Sequence, residues 1–325
     1  MIHRMSMQIP KKIAIVSSCY NEESNLKEFY CRCIKVLDSF SDKYCGEIIL
    51  EDNYSTDNSR QILRELAAED KRVKVILNAN NFGANRSGFN CILSADADAV
   101  IPMCSDLQEP PEVIPELIRK WEEGYKVVCA VKEKSKENPV IFALRKLYYW
   151  LLKKCSDTEL ISNFTGFGLY DRCFMDALKR YKDPYPYFRG LVSEIGFKRC
   201  EVTFTQEKRK GGRSSYNFFS YYDYAMTGFV NHTKLPLRLA VFSGFFIAFL
   251  SLLTALGYFI YKLCNWNSFQ VGMAPLVIGL FFFSAIQLIF IGILGEYIGA
   301  IYTQVKNKPL VIEEEFINFN EKHQS

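Results

Sequence analysis

Histidine and tryptophan are scarce in this chain, three of each in 325 residues. His3, His232 and His323 lie far apart, which leaves no histidine cluster for a metal centre. Cysteine is more common, at eleven, but the number is odd and the residues are scattered from Cys19 to Cys264. Only Cys31 and Cys33 are near neighbours, and Cys-x-Cys alone is not a zinc pattern. This usage argues against a structural metal. It fits a reducing compartment, with most thiols acting as small apolar core residues. Neither GxGxxG nor GxxxxGK(S/T) occurs, so the glycine-rich phosphate loops of classical dinucleotide and P-loop proteins are missing. Charge of one sign is also lacking. Lys plus Arg is 40 and Asp plus Glu is 36, and a net +4 is too little for bulk nucleic-acid binding. There is no internal repeat and no low-complexity linker.

What is abundant is apolar surface. Apolar residues make up 49 % of the chain and aromatics 15 %, which excludes a disordered chain. Two runs carry much of the excess. Leu239 to Tyr261 and Val271 to Leu294 contain no charged residue. Each spans about 35 Å as a helix, enough for a hydrocarbon core of about 30 Å. Buried helices of a soluble core rarely go so long without a charge, so both are read as transmembrane helices. Met1 to Lys12 is polar and basic, so no signal peptide is expected there. Lys208, Arg209, Lys210, Arg213, Lys234 and Arg238 precede the first run, and Lys306 and Lys308 follow the second. The connector Lys262 to Gln270 has one Lys. The positive-inside rule then places both ends in the cytoplasm, joined by a short external loop.

The rest alternates between strand and helix patterns. Ile13 to Val16, Glu47 to Leu50, Val73 to Leu77, Ala99 to Met103 and Lys126 to Val131 read as strands. Ser24 to Leu37, Ser59 to Ala68, Arg86 to Ala95 and Pro111 to Glu123 read as helices. Such alternation implies an α/β domain with a mostly parallel sheet, whose ligands sit beyond the C-terminal strand ends. The polar clusters fall at those ends: Tyr20 to Glu22, Asp52 to Asp57, and Asp106 with Gln108. Carboxylates there suit two tasks, accepting hydrogen bonds from a base or ribose and holding Mg²⁺ or Mn²⁺ on a diphosphate. Each Asp taken singly also fits a helix cap or a solvated loop end.

In order along the chain stand Tyr20-Asn-Glu-Glu23, Asp52-Asn-Tyr-Ser-Thr-Asp57, Asn81-Phe-Gly83 and Asp106-Leu-Gln-Glu-Pro110. This series resembles glycosyltransferase family 2, with a GT-A fold. Further on come Arg209-Lys-Gly-Gly-Arg-Ser-Ser-Tyr216, the two apolar runs, and Leu294-Gly-Glu-Tyr-Ile-Gly299. Together these resemble the polyisoprenyl-phosphate glycosyltransferases, a group that includes dolichol-phosphate mannose synthases and bacterial undecaprenyl-phosphate glycosyltransferases. The resemblance covers roughly Lys11 to Pro309 and divides the chain. Residues 1–215 form a cytoplasmic GT-A nucleotide-sugar-binding domain, including an amphipathic interface helix at about 139–155. Residues 216–234 form a second interface helix, 235–300 a two-helix transmembrane hairpin, and 301–325 a cytoplasmic tail. Both interface helices could instead pack on the sheet as core helices.

The resemblance also implies roles. Ser18, Tyr20, Asn21, Glu22, Asp52, Asn81, Gly83 and Asp106 match nucleotide-sugar-binding positions, with Asp52 at the base. Asp106 and Gln108 match the metal-binding motif for Mg²⁺ or Mn²⁺. Arg209, Arg213 and Ser214 match the loop that meets the acceptor phosphate. Asp106 and Arg209 would act in the chemistry. Four departures stand out. Cys104 replaces the first Asp of Asp-x-Asp, Tyr54 the Gly of Asp-Gly-Ser, and Ser215 a Lys. The Gly-Asp-Phe-Arg segment reads Thr165-Gly-Phe-Gly168, with Gly166 in the place of the base. Asp171 and Glu194 are the candidate replacements, each of which also suits a surface or cap role. A phosphate acceptor already largely dianionic at pH 7 needs positioning more than a base.

The expected function is inverting transfer of a sugar from a nucleotide diphosphate, a UDP-sugar, to polyisoprenyl (undecaprenyl) phosphate for cell-envelope glycan synthesis. The partners would be donor, lipid acceptor and bilayer, with no nucleic acid, and a homo-oligomer (a tetramer) is implied by resemblance. Two rivals remain: extension of a lipid-linked sugar hydroxyl, and a non-catalytic membrane subunit.

Overall fold

The computed structural model describes residues 10–133, 161, 163–184, 186–207, 235–264, 273–306 and 308–319. The chain runs β1 (Lys11–Cys19), α1 (Leu26–Asp38), β2 (Tyr44–Asp52), α2 (Ser59–Glu69), β3 (Val73–Asn78) and α3 (Ala84–Ser94). It continues through β4 (Ala99–Pro102), α4 (Ile114–Glu122), β5 (Val127–Lys132), β6 (Phe164–Asp171), α5 (Arg172–Leu178), α6 (Phe188–Ile195) and β7 (Arg199–Phe204). Two long helices follow, α7 (Leu235–Cys264) and α8 (Met273–Lys306), and then β8 (Glu313–Ile317). The eight strands make one sheet in the order β7-β5-β6-β4-β1-β2-β3-β8.

The buried strands are continuous runs of Ile, Val, Leu and Ala because both faces of the sheet are covered. Ile13 and Ile15 point to the face packed by α1, α2 and α4, with Leu26, Phe29, Leu63 and Leu117. Ala14 and Val16 point to the other face, against Phe89 of α3 and Phe174 of α5. β1 pairs in parallel with β2 and β4, so Cys19 lies opposite Asp52 and Val16 opposite Pro102. Three strands therefore end on one edge, and the polar clusters after them meet there.

The five strands read from sequence are β1 to β5. Three features beyond them correct the expectation. Phe164 to Asp171, not among the strands read from sequence, is β6, a central strand antiparallel to β4 and β5. Its glycines hid it. A Cβ on Gly168 would stand 2.3 Å from the Val128 carbonyl oxygen, so close strand approach requires glycine there. The C-terminal segment is no free tail either. β8 adds antiparallel to the edge of β3, closing an edge that would otherwise be unpaired. Finally, α7 and α8 both form, yet among the described residues one segment, Phe282–Lys306, is long and apolar enough to cross a membrane. Ala240–Ser251 of α7 is a shorter apolar stretch. Both helices expose large apolar side chains, including Phe242, Phe245, Leu288 and Ile298. The proposed interface helices at 139–155 and 216–234 lie outside the described residues.

β8 also meets a buried carboxyl. Glu51 is fully buried beneath α3 and accepts from Asn78 Nδ2 (2.8 Å), Ser87 Oγ (2.8 Å) and Asn90 Nδ2 (3.1 Å). Asn90 Nδ2 also donates to Glu313 Oε1 at 3.2 Å. Burial pushes the Glu51 carboxyl up to about 8, against these hydrogen bonds. The folded state thus holds this proton through a range where the unfolded chain, at about 4.3, has lost it. That stability is complete below the unfolded value and is lost as pH rises through the folded one. Glu51→Gln removes the titration, and its amide can donate to Asn78 Oδ1, which is buried without a partner. Melting curves from pH 5 to 9 should show the wild type losing up to about 1.4 kcal/mol per pH unit towards pH 8 from this group. The E51Q variant should lack that component and be the more stable of the two above pH 7.

Candidate functional site

The crevice beyond β1, β2 and β4 is built from tight loops. Asn21 (φ 55°), Tyr54 (φ 66°) and Leu107 (φ 60°) all take left-handed backbone conformations, as do Gly83 and Gly166. For a side chain such as Tyr this costs about 1–2 kcal/mol. Cross-links between loops hold these turns. Asn21 Oδ1 accepts from Thr56 N (2.8 Å), and Asn21 N donates to Ser55 Oγ (2.9 Å). Glu22 N donates to Ser59 Oγ at 3.0 Å, and its carboxylate accepts from Asn25 Nδ2. Asp57 accepts from Ser59 N and Glu23 N, which ties its loop to the start of α2 and to the loop after β1.

Asp52 is fully buried at the end of β2. It accepts from Ser55 N (3.3 and 3.1 Å) and lies 3.4 Å from Arg60 Nε. Asn53, which sequence reading did not single out, ties two loops together. Its Nδ2 donates to Asn81 Oδ1 (2.9 Å) and its Oδ1 accepts from Phe82 N (2.9 Å). Asn81 Oδ1 also accepts from Gly83 N at 3.0 Å. Asn21 and Asn81 therefore spend their side-chain oxygens on loop structure. Tyr20 is half-exposed at the mouth, whereas Ser18 turns its hydroxyl toward Gly88 of α3.

The other half of the crevice centres on a residue not assigned a role from sequence. Glu109 is buried, and accepts from Cys104 N (2.9 Å) and Thr165 Oγ1 (2.6 Å). Burial pushes its carboxyl up, and these two hydrogen bonds oppose the shift. The Glu109 charge in turn is the main cause that keeps the Cys104 thiol protonated, with desolvation and Asp106 adding to it. Arg189, at the start of α6, donates from Nε to Thr165 O at 3.0 Å. Lys132, at the end of β5, sits close enough to feel both Arg189 and Glu109. Desolvation pulls its ammonium down from the ordinary lysine value. Glu109 and Arg189 thus both bond Thr165, with Lys132 in electrostatic reach of them, beside Gly166 and Gly168, where the family pattern has a base and an arginine.

Asp106 is half-exposed, and its Oδ1 accepts from Gln108 N at 3.1 Å. The Gln108 side-chain oxygen accepts from Gln206 Nε2 at 2.8 Å, which ties this loop to the chain beyond β7. Among the described residues, no group of three His, Cys, Asp or Glu is placed to hold a metal ion. A single carboxylate beside a protonated thiol fits a hard divalent ion only where phosphate oxygens and waters fill most of its sphere, as is usual for Mg²⁺.

Of the two candidate bases, Asp171 lies at the opposite edge of the sheet. Asp171 lies opposite Ala99, at the start of β4, whereas Asp106 follows that strand's end. It caps α5 through Cys173 N and accepts from Trp121 Nε1 (2.7 Å) and Lys126 Nζ (3.1 Å). Burial opposes ionisation, but these hydrogen bonds outweigh it and hold the carboxyl at about 2, which makes it a poor base. Glu194 is exposed near the far end of α6, about 7.5 Å along the axis from Arg189. Arg209, Arg213 and Ser214 lie outside the described residues.

The sequence model of Glycosyl transferase family 2 matches residues 14–181. The uncharacterized glycosyltransferase YkcC of Bacillus subtilis (strain 168) is 34 % identical over 310 residues, 95 % of each chain. The SfII prophage-derived bactoprenol glucosyl transferase of Shigella flexneri is 32 % identical over 304 residues, 93 % of this chain and 97 % of that one. Among solved structures, the mannosyltransferase PcManGT of Pyrobaculum calidifontis, in complex with GDP-Man and Mn²⁺, is 14 % identical. It aligns with a TM-score of 0.46 over 92 % of this chain and 87 % of that one.

The β6 glycines give a test of the site's construction. Gly168→Ala places a methyl against Val128 O in the middle of the sheet and should cost about 3 kcal/mol or more. Gly83→Ala meets no atom within 4 Å, carries only the penalty of φ 87°, and should cost less. Equal melting temperatures for the two variants would contradict the packing described.

Proposed function

The chain belongs to glycosyl transferase family 2 and is a glycosyltransferase, and on that premise we propose that it moves a sugar from a UDP-sugar to a polyisoprenyl phosphate. The donor would lie along the loops after β1, β2 and β3, with Asp52 at the base. Asp106 would hold Mg²⁺ or Mn²⁺ together with the donor diphosphate. When bound, that ion supplies charge neutralisation at the leaving group.

The observation that carries this reading is the cluster around Thr165 and Gly166. The position of the family base holds glycine; Arg189 donates to the carbonyl of the adjacent Thr165, and the cation Lys132 lies in electrostatic reach of Arg189. A phosphate acceptor is attracted by such a pair. The ammonium of Lys132 is already stripped of much of its water, so an incoming dianion gains a strong partner and restores the lysine's affinity for its proton. An acceptor phosphate oxygen would attack C1 of the sugar as the bond from C1 to the diphosphate oxygen breaks, with inversion. No proton has to leave the nucleophile, so placement and charge supply the catalysis. The name of the Shigella relative, a bactoprenol glucosyl transferase that aligns over 93 % of this chain, supports a lipid carrier as acceptor. The apolar surfaces of α7 and α8 support two membrane spans beside it, with the catalytic domain and both ends on the cytoplasmic side. Arg209, Arg213 and Ser214 would complete the phosphate site, and a homo-oligomer fits the exposed helices.

One observation favours a second reading. Glu109 is a buried carboxyl with a raised proton affinity next to Thr165. In transfer to a sugar hydroxyl it is the described carboxylate best placed to serve as base. The two readings separate by acceptor and by pH. Purified protein is incubated with labelled UDP-sugars and either undecaprenyl phosphate or a lipid-linked saccharide, and the lipid product is weighed by mass spectrometry. We expect product from the phosphate, and no rise in rate tracking Glu109 deprotonation as pH increases. Asp106→Ala should remove activity at least a hundredfold, about 2.7 kcal/mol, with the melting temperature unchanged. Extension of the saccharide alone, together with loss of activity in Glu109→Gln, would establish the second reading instead.

Cys104→Asp restores a second carboxylate beside Asp106. It should lower the metal concentration needed for half-maximal donor binding by roughly tenfold, following ligand charge. Titration of Mn²⁺ against UDP binding measures this without turnover.

A further inference from the structure

Tyr54 stands where the family pattern has glycine, and its backbone is left-handed, at φ 66°, a conformation glycine adopts freely. The ring is not tucked away to relieve this. It is 43 % exposed, two residues beyond the fully buried Asp52. The Arg60 guanidinium lies over the ring at 5.7 Å from its centroid. Arg60 is itself held on three sides. Its Nε is 3.4 Å from Asp52 Oδ2, and its Nη2 is 2.6 Å from Glu314 Oε2 and 3.5 Å from Asn78 O. Glu314 belongs to β8, so the strand that follows the long helices fixes the arginine behind the ring. A second contact from the same segment acts alongside it. Arg86 Nη2 donates to Pro309 O at 2.6 Å, with its guanidinium over Phe82 at 5.4 Å. Asn53 joins the Tyr54 and Phe82 loops.

A flat ring with one face on a fixed cation and much of its surface open is a stacking surface. Its place at the end of β2, on the crevice proposed for the donor, makes the planar group of that donor the occupant that fits it. We propose that Tyr54 is a binding residue for the donor's nucleobase, a stacking platform held from behind by Arg60 and from the C-terminal strand by Glu314. This rests on the nucleotide-sugar reading above and adds to it a residue that the family pattern does not supply.

The test uses the full-length protein in detergent, with UDP, GDP and inorganic pyrophosphate as probes, each with Mn²⁺, in a calorimeter. Tyr54→Phe should bind the nucleotides as the wild type does. Tyr54→Gly relieves the backbone and should keep its melting temperature. It should lose about tenfold or more in nucleoside diphosphate affinity, with pyrophosphate affinity unchanged. Glu314→Gln should weaken nucleotide binding about threefold, again with no change for pyrophosphate. Nucleotide affinity within twofold of wild type in Tyr54→Gly would overturn the platform while leaving the donor reading in place. An equal loss for nucleotide and pyrophosphate would also overturn it, since the ring would then act on the whole site. A wild type that binds neither UDP nor GDP would defeat the donor reading and this proposal with it.

Discussion

The buried carboxyl of Glu109 is the contact on which the catalytic half of the crevice depends. It accepts from the backbone of Cys104 and from the hydroxyl of Thr165, and so joins the loop after β4 to the start of β6. Those two strands run in opposite directions, and nothing in their ladder specifies how the loop at their common end should lie. A carboxyl with no water around it forfeits the full cost of desolvation if either donor is withdrawn. The loop carrying Asp106 is therefore held in one arrangement relative to Thr165, Gly166 and Arg189. The field of the same carboxyl keeps the Cys104 thiol protonated and acts on Lys132. One side chain thus determines both the shape and much of the charge balance of the site.

The donor half follows a different rule. Its loops are short and left-handed at Asn21 and Tyr54, and their polar side chains are consumed in holding one another. Strain of this kind survives only where the surroundings over-determine it. Here the surroundings are Ser55, Thr56, Asn53 and the buried Asp52. The amide side chains of Asn21, Asn53 and Asn81 serve as internal fastenings of these loops.

Much of this architecture was legible beforehand. Uninterrupted β-branched and aliphatic runs marked β1 to β5, and the ordered acidic motifs marked the crevice at their ends. β6 was missed because Gly166 and Gly168 break the apolar pattern, and the reason for Gly168 is a backbone contact with Val128 that no local pattern records. β8 was missed because Glu313-Glu-Glu315 reads as a solvated acidic run. Its charges are met by Arg60 and Arg64, about 250 residues earlier. Glu109, Lys132 and Arg189 were passed over for the same reason, since each acquires its meaning from partners on other elements. Asp171 was offered as a base because it is an acid near the altered motif. Strand direction decides against it, for an antiparallel strand carries its two ends to opposite edges of the sheet.

The position of β8 also has a bearing on how the chain comes into being. The edge of β3 is open until residues 313–317 arrive, and these are made only after both long helices. The sheet therefore cannot be completed in the order in which it is synthesised. For most of translation the nascent domain presents an unpaired strand edge, with Arg60 and Arg64 lacking their acidic partners. A fragment cut before α7 is a seven-stranded sheet with an exposed edge, not a smaller version of the same domain.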